Sequence, residues 1–550
     1  MNLKKYKYQI DLAEIIVNNL KSSKIAVCEI PCGYGKTGIA YWIHKIYGGR
    51  SLILNHNKIL VDQYEELYRG IDEIGCVKGK SNYKCSQYSF ITVDKAPCQT
   101  TLSFKCSLRD NDKCHYFNLR NKFNKAPLGV TDYQLVLSML DIGKYSRENN
   151  DLLICDECHN LESILSDYRS IRIDKNTITT LDKATKLLKE FGIETSKFRE
   201  ACLFVYQNMN IKNYKKYIPE FFENLIGIER RAAKFFESFD PDPDSKEYKK
   251  GIALSEVVTF LHRSKCKYRN YMKEDRSNYV FQSNGNGEFN DPEHSLSPIM
   301  VDKFFPNVLS DVCNKVVLMS GTLVNRKNLE KNLGINKFTI SEISIPSKFD
   351  KKNRPVYFCN TAPLNKNNSN PNSKEYKYII ETIMALLKYH FEKNESGVIF
   401  VPSYYLASNI IDSITTYVNS NGITLYSNSN SKESSDILKK FSDTKIKKRL
   451  LVSPSFEEGV NFTDDISRFQ IIVKTPYLSL GDERTRVKMN LDHNWYDSVS
   501  FTRIIQSSAR SVRNENDYAI TYVLDSHASR LYHRIKKYCP NWFNEAVVED

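Results

Sequence analysis

Residues 25–37 combine residue types and spacings that suit the binding of a nucleoside triphosphate. An apolar run with strand character leads into a loop with glycines at positions 33 and 35, and a helix is predicted to follow. In such a loop backbone N–H groups approach phosphate oxygens, a lysine reaches the β- and γ-phosphates, and a hydroxyl holds Mg²⁺. For the binding of ATP, these roles are predicted for Gly33, Gly35, Lys36 and Thr37. A Gly-Lys-Thr tripeptide alone is weak evidence, because it also occurs in ordinary glycine turns before helices.

A second stretch, residues 151–159, places two adjacent carboxylates after a short apolar strand. Ligands bind at the carboxyl ends of the strands in open parallel sheets, which is where Asp156 and Glu157 are expected. We expect Asp156 to hold Mg²⁺, directly or through water, and Glu157 to orient and deprotonate the attacking water. A charged helix cap would also explain the pair, but its position after the phosphate-binding loop favours an ATPase site.

Further candidates for nucleotide contact lie near the two ends of the chain. Gln9, just ahead of the apolar positions of an amphipathic helix, could read an adenine edge, and a plain surface glutamine is an equally good interpretation. Residues 506–513 are predicted to lie on a helix, where Arg510 and Arg513 would share one face and reach a single triphosphate. Gln506 is the third candidate in this segment.

Two α/β domains are needed to position these motifs. Strands alternate with helices in both halves of the chain, which predicts two parallel sheets. We expect a first α/β domain at residues 1–74, 126–163 and 298–350, interrupted by a cysteine-rich module at 75–125 and a mostly helical insertion at 164–297, and a second α/β domain at 351–550.

The cysteine-rich module is polar and contains five cysteines. A polar segment without a core of its own is typical of a fold that is held together by metal, with four thiolates as ligands. Cys₄ sites suit iron–sulfur clusters, and Cys₄ or Cys₃His sites suit zinc, for which His115 is available. Unligated thiols are a further interpretation, because the spacing is not a pair of Cys-x-x-Cys motifs.

The composition is that of a globular protein with a basic surface. The 550 residues, 41% of them hydrophobic, suffice for three or four domains with full cores. With 79 Lys and Arg against 65 Asp and Glu the net charge is +14, which favours a polyanionic partner without proving one. The sequence contains no membrane-spanning apolar run and no signal-peptide core, so we expect an intracellular protein with mostly reduced cysteines.

Together these residues resemble the XPD/DinG-type helicases of superfamily 2, along nearly the whole chain. The order of the motifs carries the resemblance: Gln9, residues 29–37 in the form Glu-x-Pro-x-Gly-x-Gly-Lys-Thr, residues 156–159, 320–323, 400–403, 458–461 and 506–513. The chain has Cys158 where the family often has alanine, and Asn461 where aspartate is usual. Neither change removes a group that the proposed chemistry uses.

The resemblance implies an α/β fold of two RecA-like parallel-sheet motor domains, with an iron–sulfur module and a helical arch inserted in the first. It implies that ATP binds between the motors, that Arg510 and Arg513 act as arginine fingers, and that Gly459 lies at the nucleotide. It also implies a 4Fe-4S cluster, with zinc as the alternative, on Cys85, Cys98, Cys106 and Cys114.

The activity implied by the resemblance is ATP-dependent DNA unwinding in replication or repair. A monomeric motor would move 5′ to 3′ on single-stranded DNA, with the arch over the strand and a wedge at the junction of single and double strands. Such a protein would work in the cytoplasm or the nucleus, or at the nucleoid of a prokaryotic or viral system.

Two other functions stay open from the sequence. One is an RNA helicase, or a translocase that does not unwind DNA, and the other is a nucleic-acid-binding scaffold without catalysis. The scaffold is disfavoured, because the catalytic candidates Lys36, Asp156, Glu157, Gln506 and Arg513 are all present. Lysines beside Tyr83 and Tyr268 are candidate contacts for phosphates and bases, with plain surface positions as the alternative.

Overall fold

The protein was analysed as a computed structural model. It describes residues 7–100, 104–143, 145, 150–239, 245–284, 291–365, 367–428, 434–454 and 461–549.

The strands form three sheets. In chain order they are β1 Ile25–Glu29, β2 Ser51–Asn55, β3 Ile74–Cys76, β4 Leu128–Asp132, β5 Asn150–Cys155, β6 Ile171–Ile173, β7 Tyr279–Asn284, β8 Glu293–Pro298, β9 Cys313–Ser320, β10 Ile340–Ser344, β11 Val356–Phe358, β12 Gly397–Phe400, β13 Thr424–Ser427, β14 Arg449–Ser453, β15 Phe469–Ile472, β16 Ile520–Val523 and β17 Val547–Val548.

The helices cover the two larger sheets and build the segments between them. They are α1 Lys7–Ser22, α2 Lys36–Tyr47, α3 Lys58–Leu67, α4 Pro97–Thr100, α5 Ser107–Asp110, α6 His115–Lys125, α7 Tyr133–Asp141, α8 Leu161–Arg169, α9 Lys175–Glu190, α10 Ser196–Asn208, α11 Tyr214–Ser238, α12 Lys246–Lys273, α13 Phe304–Val312, α14 Arg326–Asn332, α15 Lys374–Glu392, α16 Tyr404–Ser420, α17 Ser434–Phe441, α18 Glu483–Leu491, α19 His493–Ser508, α20 Ser526–Ile535 and α21 Asn541–Asn544.

The first sheet has seven parallel strands in the order β10-β1-β9-β5-β2-β4-β3. Its central strands are apolar runs that are buried along almost their whole length, as expected for a parallel sheet covered by helices on both faces. Because β1, β9 and β5 are neighbours, the loops that follow them meet at one edge. That edge carries the loop with Lys36, the motif with Ser320 and the Asp156-Glu157 pair.

The second sheet also has seven parallel strands, in the order β13-β14-β12-β15-β16-β11-β17. It confirms the second parallel sheet that the sequence predicted. The predicted strands of this half are present. The strands β11, β13 and β17 were not predicted, because they are short and partly exposed and give no continuous buried apolar run.

The segment between β5 and β9 contains helices α8–α13 and a third, antiparallel sheet in the order β6-β8-β7. A mostly helical insertion was predicted here, and α9–α12 do pack around a common apolar core. The small sheet was missed, since β6 joins β8 across more than a hundred residues and its three residues give no local signal.

Among the described residues, the segment between β3 and β4 contains the short helices α4 and α5 and the longer helix α6. Its aromatic side chains Tyr83, Tyr116, Phe117 and Phe123 lie in the core of the first sheet, so the segment has no large core of its own. At Gly75 of β3 a Cβ atom would meet the backbone of Phe123 at 2.5 Å, which shows how closely α6 is packed on the sheet. In the part of the chain that the structure describes, no helix is long and apolar enough to cross a membrane.

Candidate nucleotide-binding site

The phosphate-binding loop requires glycine at two positions. Gly33 and Gly35 have φ values of +88° and +70°, a region that side chains with a Cβ rarely adopt. A Cβ on Gly33 would lie 2.1 Å from the ring of Phe349, and one on Gly35 would lie 2.6 Å from Nε2 of Gln9. Helix α2 begins directly after the loop at Lys36, so its free N–H groups face the space where phosphates would bind.

Lys36, Asp156 and Glu157 form one charged group, in which Asp156 is buried and the other two are partly exposed. The Lys36 Nζ lies 3.2 Å from Oε1 of Glu157, and Glu157 itself has a positive φ of 48°, which turns its side chain back over the sheet edge. Burial alone would raise the pKa of Glu157, but the nearby positive groups together, with the Lys36 ammonium foremost, outweigh burial and lower it. Burial and the neighbouring Glu157 carboxylate raise the pKa of Asp156. The two adjacent carboxyls are therefore electrostatically different, which suits two different roles.

His159 connects this group to both sheets. Its Nδ1 lies 2.7 Å from Oγ of Ser320, at the end of β9, and its Nε2 lies 2.6 Å from Nε2 of Gln506, on α19. An amide nitrogen donates, so Gln506 Nε2 is the donor to His159 Nε2. A side chain of the second half of the chain is thus hydrogen-bonded to the acidic motif of the first.

Gln9 lies on the phosphate-binding loop. Its Nε2 donates to the carbonyls of Tyr34 at 3.0 Å and Gly35 at 3.3 Å. Its Oε1 is buried and accepts no hydrogen bond within the described part of the chain. A buried acceptor without a partner is costly, and a donor on a bound ligand, such as an exocyclic amine, would satisfy it.

The prediction that Arg510 and Arg513 share a helix face was wrong. Helix α19 ends at Ser508, whose carbonyl accepts from the buried amide of Gln470 at 3.1 Å, and the Arg510 carbonyl accepts from the Phe462 N–H at 3.0 Å. These bonds to neighbouring segments replace the next helical turn. Both arginines therefore lie on the loop after α19.

The loop nevertheless brings both arginines to the phosphate-binding loop. Burial would raise the pKa of the Cys32 thiol, but the charges of Arg513, Lys36 and Arg510 outweigh burial and lower it. Val512, between the arginines, packs with Phe349, the residue whose ring lies against Gly33. The Nε of Arg513 is buried and makes no hydrogen bond within the described residues. Gly459, predicted at the nucleotide, lies in residues 455–460, outside the described part of the chain.

The cysteine-rich segment collects the four predicted ligands. Cys85, Cys106 and Cys114 are buried, Cys98 is partly buried, and all four are free thiols. Burial raises the pKa of Cys98, and the nearby Cys106, Cys85 and Cys114 add to this rise, so the four side chains lie within electrostatic reach of one another. Among the described residues no three His, Cys, Asp or Glu side chains are placed to hold a single metal ion. The set of thiols suits the chemistry of an iron–sulfur cluster.

Two predicted nucleic-acid contacts are internal packing instead. Tyr83 is buried, and its hydroxyl accepts from the Lys78 N–H at 2.9 Å. Tyr268 is buried and stacks on Phe222 with the ring centroids 4.5 Å apart, so its ring is not exposed to a base. Lysine–tyrosine neighbours in the sequence do not reveal this burial.

An aromatic cluster at the opening of the site was not predicted. The rings of Tyr8 and Tyr34 meet edge to face at 6.0 Å, and the Lys348 ammonium lies 4.8 Å from the Tyr8 centroid and 5.4 Å from that of Tyr34. The adjacency of Tyr8 and Gln9 was the available signal, but Lys348 is distant in sequence.

Comparison with known proteins was made against family models, curated sequences and solved structures. Residues 386–546 match the model described as "Helicase C-terminal domain", and residues 2–189 match "Type III restriction enzyme, res subunit". A probable ATP-dependent helicase of Methanocaldococcus jannaschii is 21% identical over 92% of this chain and 89% of its own length. The ATP-dependent DNA helicase XPD of Sulfolobus acidocaldarius is 22% identical over 82% of this chain and 78% of its own.

The solved structure titled "XPD_Helicase" superposes with a TM-score of 0.64 at 15% identity and covers 98% of this chain and 99% of that one. The chain is similar to the XPD/DinG-type helicases of superfamily 2 in sequence and in fold. The XPD-like fold agrees with the two parallel sheets described above, and a structure of S. tokodaii Xpd4 matches with a TM-score of 0.59. The ATP-dependent DNA helicase CHL1 of Kluyveromyces lactis is 22% identical over 80% of this chain. The match covers 59% of the length of that relative.

Proposed function

We propose that this protein is an ATP-dependent DNA helicase that moves on single-stranded DNA and unwinds duplex or structured DNA. The observation that carries the proposal is the hydrogen bond between Gln506 and His159. It joins the second sheet's domain to the motif of Asp156 and Glu157, and Glu157 lies 3.2 Å from Lys36, so a ligand bound there would touch both domains. A site between two domains can couple hydrolysis to their relative motion.

In this proposal each residue has a separate task in ATP hydrolysis. The loop of Gly33 and Gly35 cradles the phosphates, Lys36 binds the β- and γ-phosphates, and Thr37 and Asp156 hold Mg²⁺. Glu157, kept ionised by Lys36, orients the attacking water and accepts its proton. Gln9 reads the base through its unpaired Oε1. The residues acting from the second domain are Gln506, Arg510, Arg513 and Gly459.

The domain limits stated from the sequence belong to the proposal as well. The two sheets form the motor domains, residues 75–125 the iron–sulfur module and residues 164–297 the arch. A 4Fe-4S cluster would be held by Cys85, Cys98, Cys106 and Cys114. It would stabilise a segment whose aromatic side chains otherwise pack in the core of the first sheet. Zinc is the alternative metal. We further propose a monomer that travels 5′ to 3′ and acts inside the cell wherever its DNA lies.

ATP-driven strand separation tests the activity. Protein purified without oxygen is given two tailed duplexes, one with a 5′ and one with a 3′ single-stranded overhang, in DNA and in RNA. We expect unwinding of the DNA duplex with the 5′ tail only. Hydrolysis that is stimulated by single strands without unwinding would mean a translocase, and activity confined to the RNA duplexes would mean an RNA helicase.

Two lysines on helix α2 provide a matched pair for the ATP site. Lys36→Ala should abolish nucleic-acid-stimulated hydrolysis, whereas Lys45→Ala, which loses only a partly exposed ion pair with Glu73, should retain it. Unchanged turnover in Lys36→Ala would contradict the site assignment.

Iron content tests the cluster independently of activity. Cys106→Ser should lose protein-bound iron, while Cys76→Ser, in strand β3, should keep the wild-type amount. Zinc in place of iron would identify the alternative metal, and no metal in the wild-type protein would reject the module.

A further inference from the structure

Glu162 is a buried carboxylate that none of the family motifs includes. It lies at the start of α8, three residues after His159, and is 7% exposed. Arg484 donates to its Oε1 at 2.6 Å, Lys488 donates to the same oxygen, and Trp495 Nε1 donates to its Oε2 at 2.7 Å. All three donors belong to α18 and α19, in the second half of the chain, whereas Glu162 belongs to the first half.

The charged side chains of this cluster are almost completely buried. The Lys488 side chain is 1% exposed and its ammonium lies 4.5 Å from the Trp495 ring centroid, so one carboxylate faces two cations. Burial lowers the pKa of Lys488 to about 8 in spite of the Glu162 carboxylate. A buried carboxylate with two cations is held by its hydrogen bonds, and removing its charge leaves the cations without compensation.

The same helices are docked on other parts of the first half of the chain. Arg484 Nε donates to the Pro298 carbonyl at 2.7 Å, at the end of β8. Asp492, the cap of α19, accepts from Asn328 on α14 at 2.7 Å. Glu162 supplies a buried charge in this interface, and a second, more exposed charged contact joins Asp492 to Lys331 Nζ at 3.8 Å.

Helix α19 links the Glu162 cluster to the candidate ATP site. Trp495, near its start, is bonded to Glu162, and Gln506, near its end, is bonded to His159. At 1.5 Å per residue these side chains leave the helix about 16 Å apart. Two residues of one short segment, His159 and Glu162, therefore hold one helix at two places, and a shift at Glu162 changes where Gln506 lies.

We propose that Glu162 is a positioning residue for ATP hydrolysis, anchoring α18 and α19 so that Gln506 meets His159. This inference rests on the proposed ATPase function. Glu162 does not touch the nucleotide in this role and acts through helix α19.

The variant Glu162→Gln keeps the side-chain shape and an acceptor for Trp495 but removes the charge. We expect kcat for nucleic-acid-stimulated ATP hydrolysis to fall by about 10-fold to 100-fold, the cost of a misplacement of about 1 Å, with KM for ATP within about twofold. The phosphate-binding elements β1 and α2 lie outside the cluster, which is why KM should stay.

A charge-balanced double variant separates positioning from general damage. Glu162→Gln combined with Lys488→Met removes one charge of each sign and leaves the same net charge in the cluster. Its kcat should return to within about threefold of wild type, because replacing a buried ion pair by an apolar side chain is often neutral. A kcat as low as that of the single variant would contradict the proposal.

The matched control is Glu229→Gln. Glu229 is 2% exposed and accepts from Lys265 at 2.8 Å, inside the α11–α12 pair and remote from α19. The variant Glu229→Gln should lower the melting temperature, as Glu162→Gln does, and leave kcat unchanged. Equal losses of kcat in both variants would show that Glu162 merely stabilises the fold.

Hydrogen exchange gives a readout that does not need turnover. Amides of residues 483–508 should exchange faster in Glu162→Gln and at the wild-type rate in Glu229→Gln. If the wild-type protein hydrolysed no ATP, the proposed function would fall and the positioning role with it, while faster exchange would still establish the anchor. Unchanged exchange together with unchanged kcat would reject the anchor alone.

Discussion

The two large sheets of this protein share an architecture and differ in the chemistry at their edges. Each has seven parallel strands with fully buried central strands. At the carboxyl ends of β1, β5 and β9 the first sheet carries a lysine, two acidic residues and a serine. The second sheet contributes Gln506 from a helix and two arginines from the loop after it.

This difference shows that the scaffold and the chemistry are separable. Buried apolar strands covered on both faces give the same sheet twice, whereas the loops at one edge decide which polar groups meet. The first domain holds the groups proposed to bind phosphate and activate water, and the second supplies groups that reach them only when the two domains are in contact. Substitutions should therefore affect turnover and stability differently in the two halves.

The strongest expected effect is at the first sheet. Glu157→Gln should lower ATP turnover by about 10²-fold to 10⁴-fold, since it removes the proposed base, while nucleotide binding persists through Lys36. Asp151→Asn, at the opposite end of the same strand, should leave turnover within about twofold. Steady-state hydrolysis and fluorescent-nucleotide binding would measure both, and a Glu157→Gln protein that hydrolyses ATP normally would remove the asymmetry between the sheets.

In the second domain, Gln506→Ala should lower kcat by about 10-fold to 100-fold, because His159 loses the hydrogen bond from Gln506. Thr502→Ala, one turn earlier on α19, serves as control. A larger loss for Gln506→Ala than for Glu157→Gln would place the decisive chemistry in the second domain.

Gly397 in the second sheet should matter for stability alone. A Cβ there would lie 2.4 Å from the Phe469 ring, so Gly397→Ala should cost about 1–3 kcal/mol through overpacking and leave KM for ATP unchanged. Gly422→Ala, where no atom lies within 4 Å but φ is +63°, should cost about 1 kcal/mol. Denaturant unfolding would measure both, and a raised KM in Gly397→Ala would tie this sheet's core to nucleotide binding.

Lys488, between the two halves, should make stability depend on pH. Its folded pKa of about 8 lies below the ordinary value of 10.5, so above pH 8 the unfolded chain binds more protons and the folded state gains stability as the pH rises. From pH 8 to 9 the unfolding free energy of the wild type should rise by about 1 kcal/mol relative to Lys488→Met. Parallel curves of unfolding free energy against pH for the two proteins would show that folding does not lower the pKa of Lys488.

Much of the fold could be read from local patterns. Apolar runs predicted β1 and β5, because a strand buried on both faces must be continuously apolar. The short, partly exposed strands β11, β13 and β17 and the β6-β8-β7 sheet could not be predicted, since their pairing depends on partners far away in the chain. The end of α19 was misjudged for the same reason: Gln470 and Phe462, which donate to the carbonyls of Ser508 and Arg510, come from other segments.

The sequence by itself determined the types and order of the chemical groups: the glycine loop with Lys36, the Asp156-Glu157 pair, the four clustered cysteines and the family they indicate. These signals are local, since a phosphate loop or a strand end needs only neighbouring residues. The tertiary structure alone decided that Gln506 meets His159, that the arginines reach the loop without a helix, and that Glu162 holds α18 and α19. Such contacts join residues hundreds of positions apart, and only the packing of the two domains brings them together.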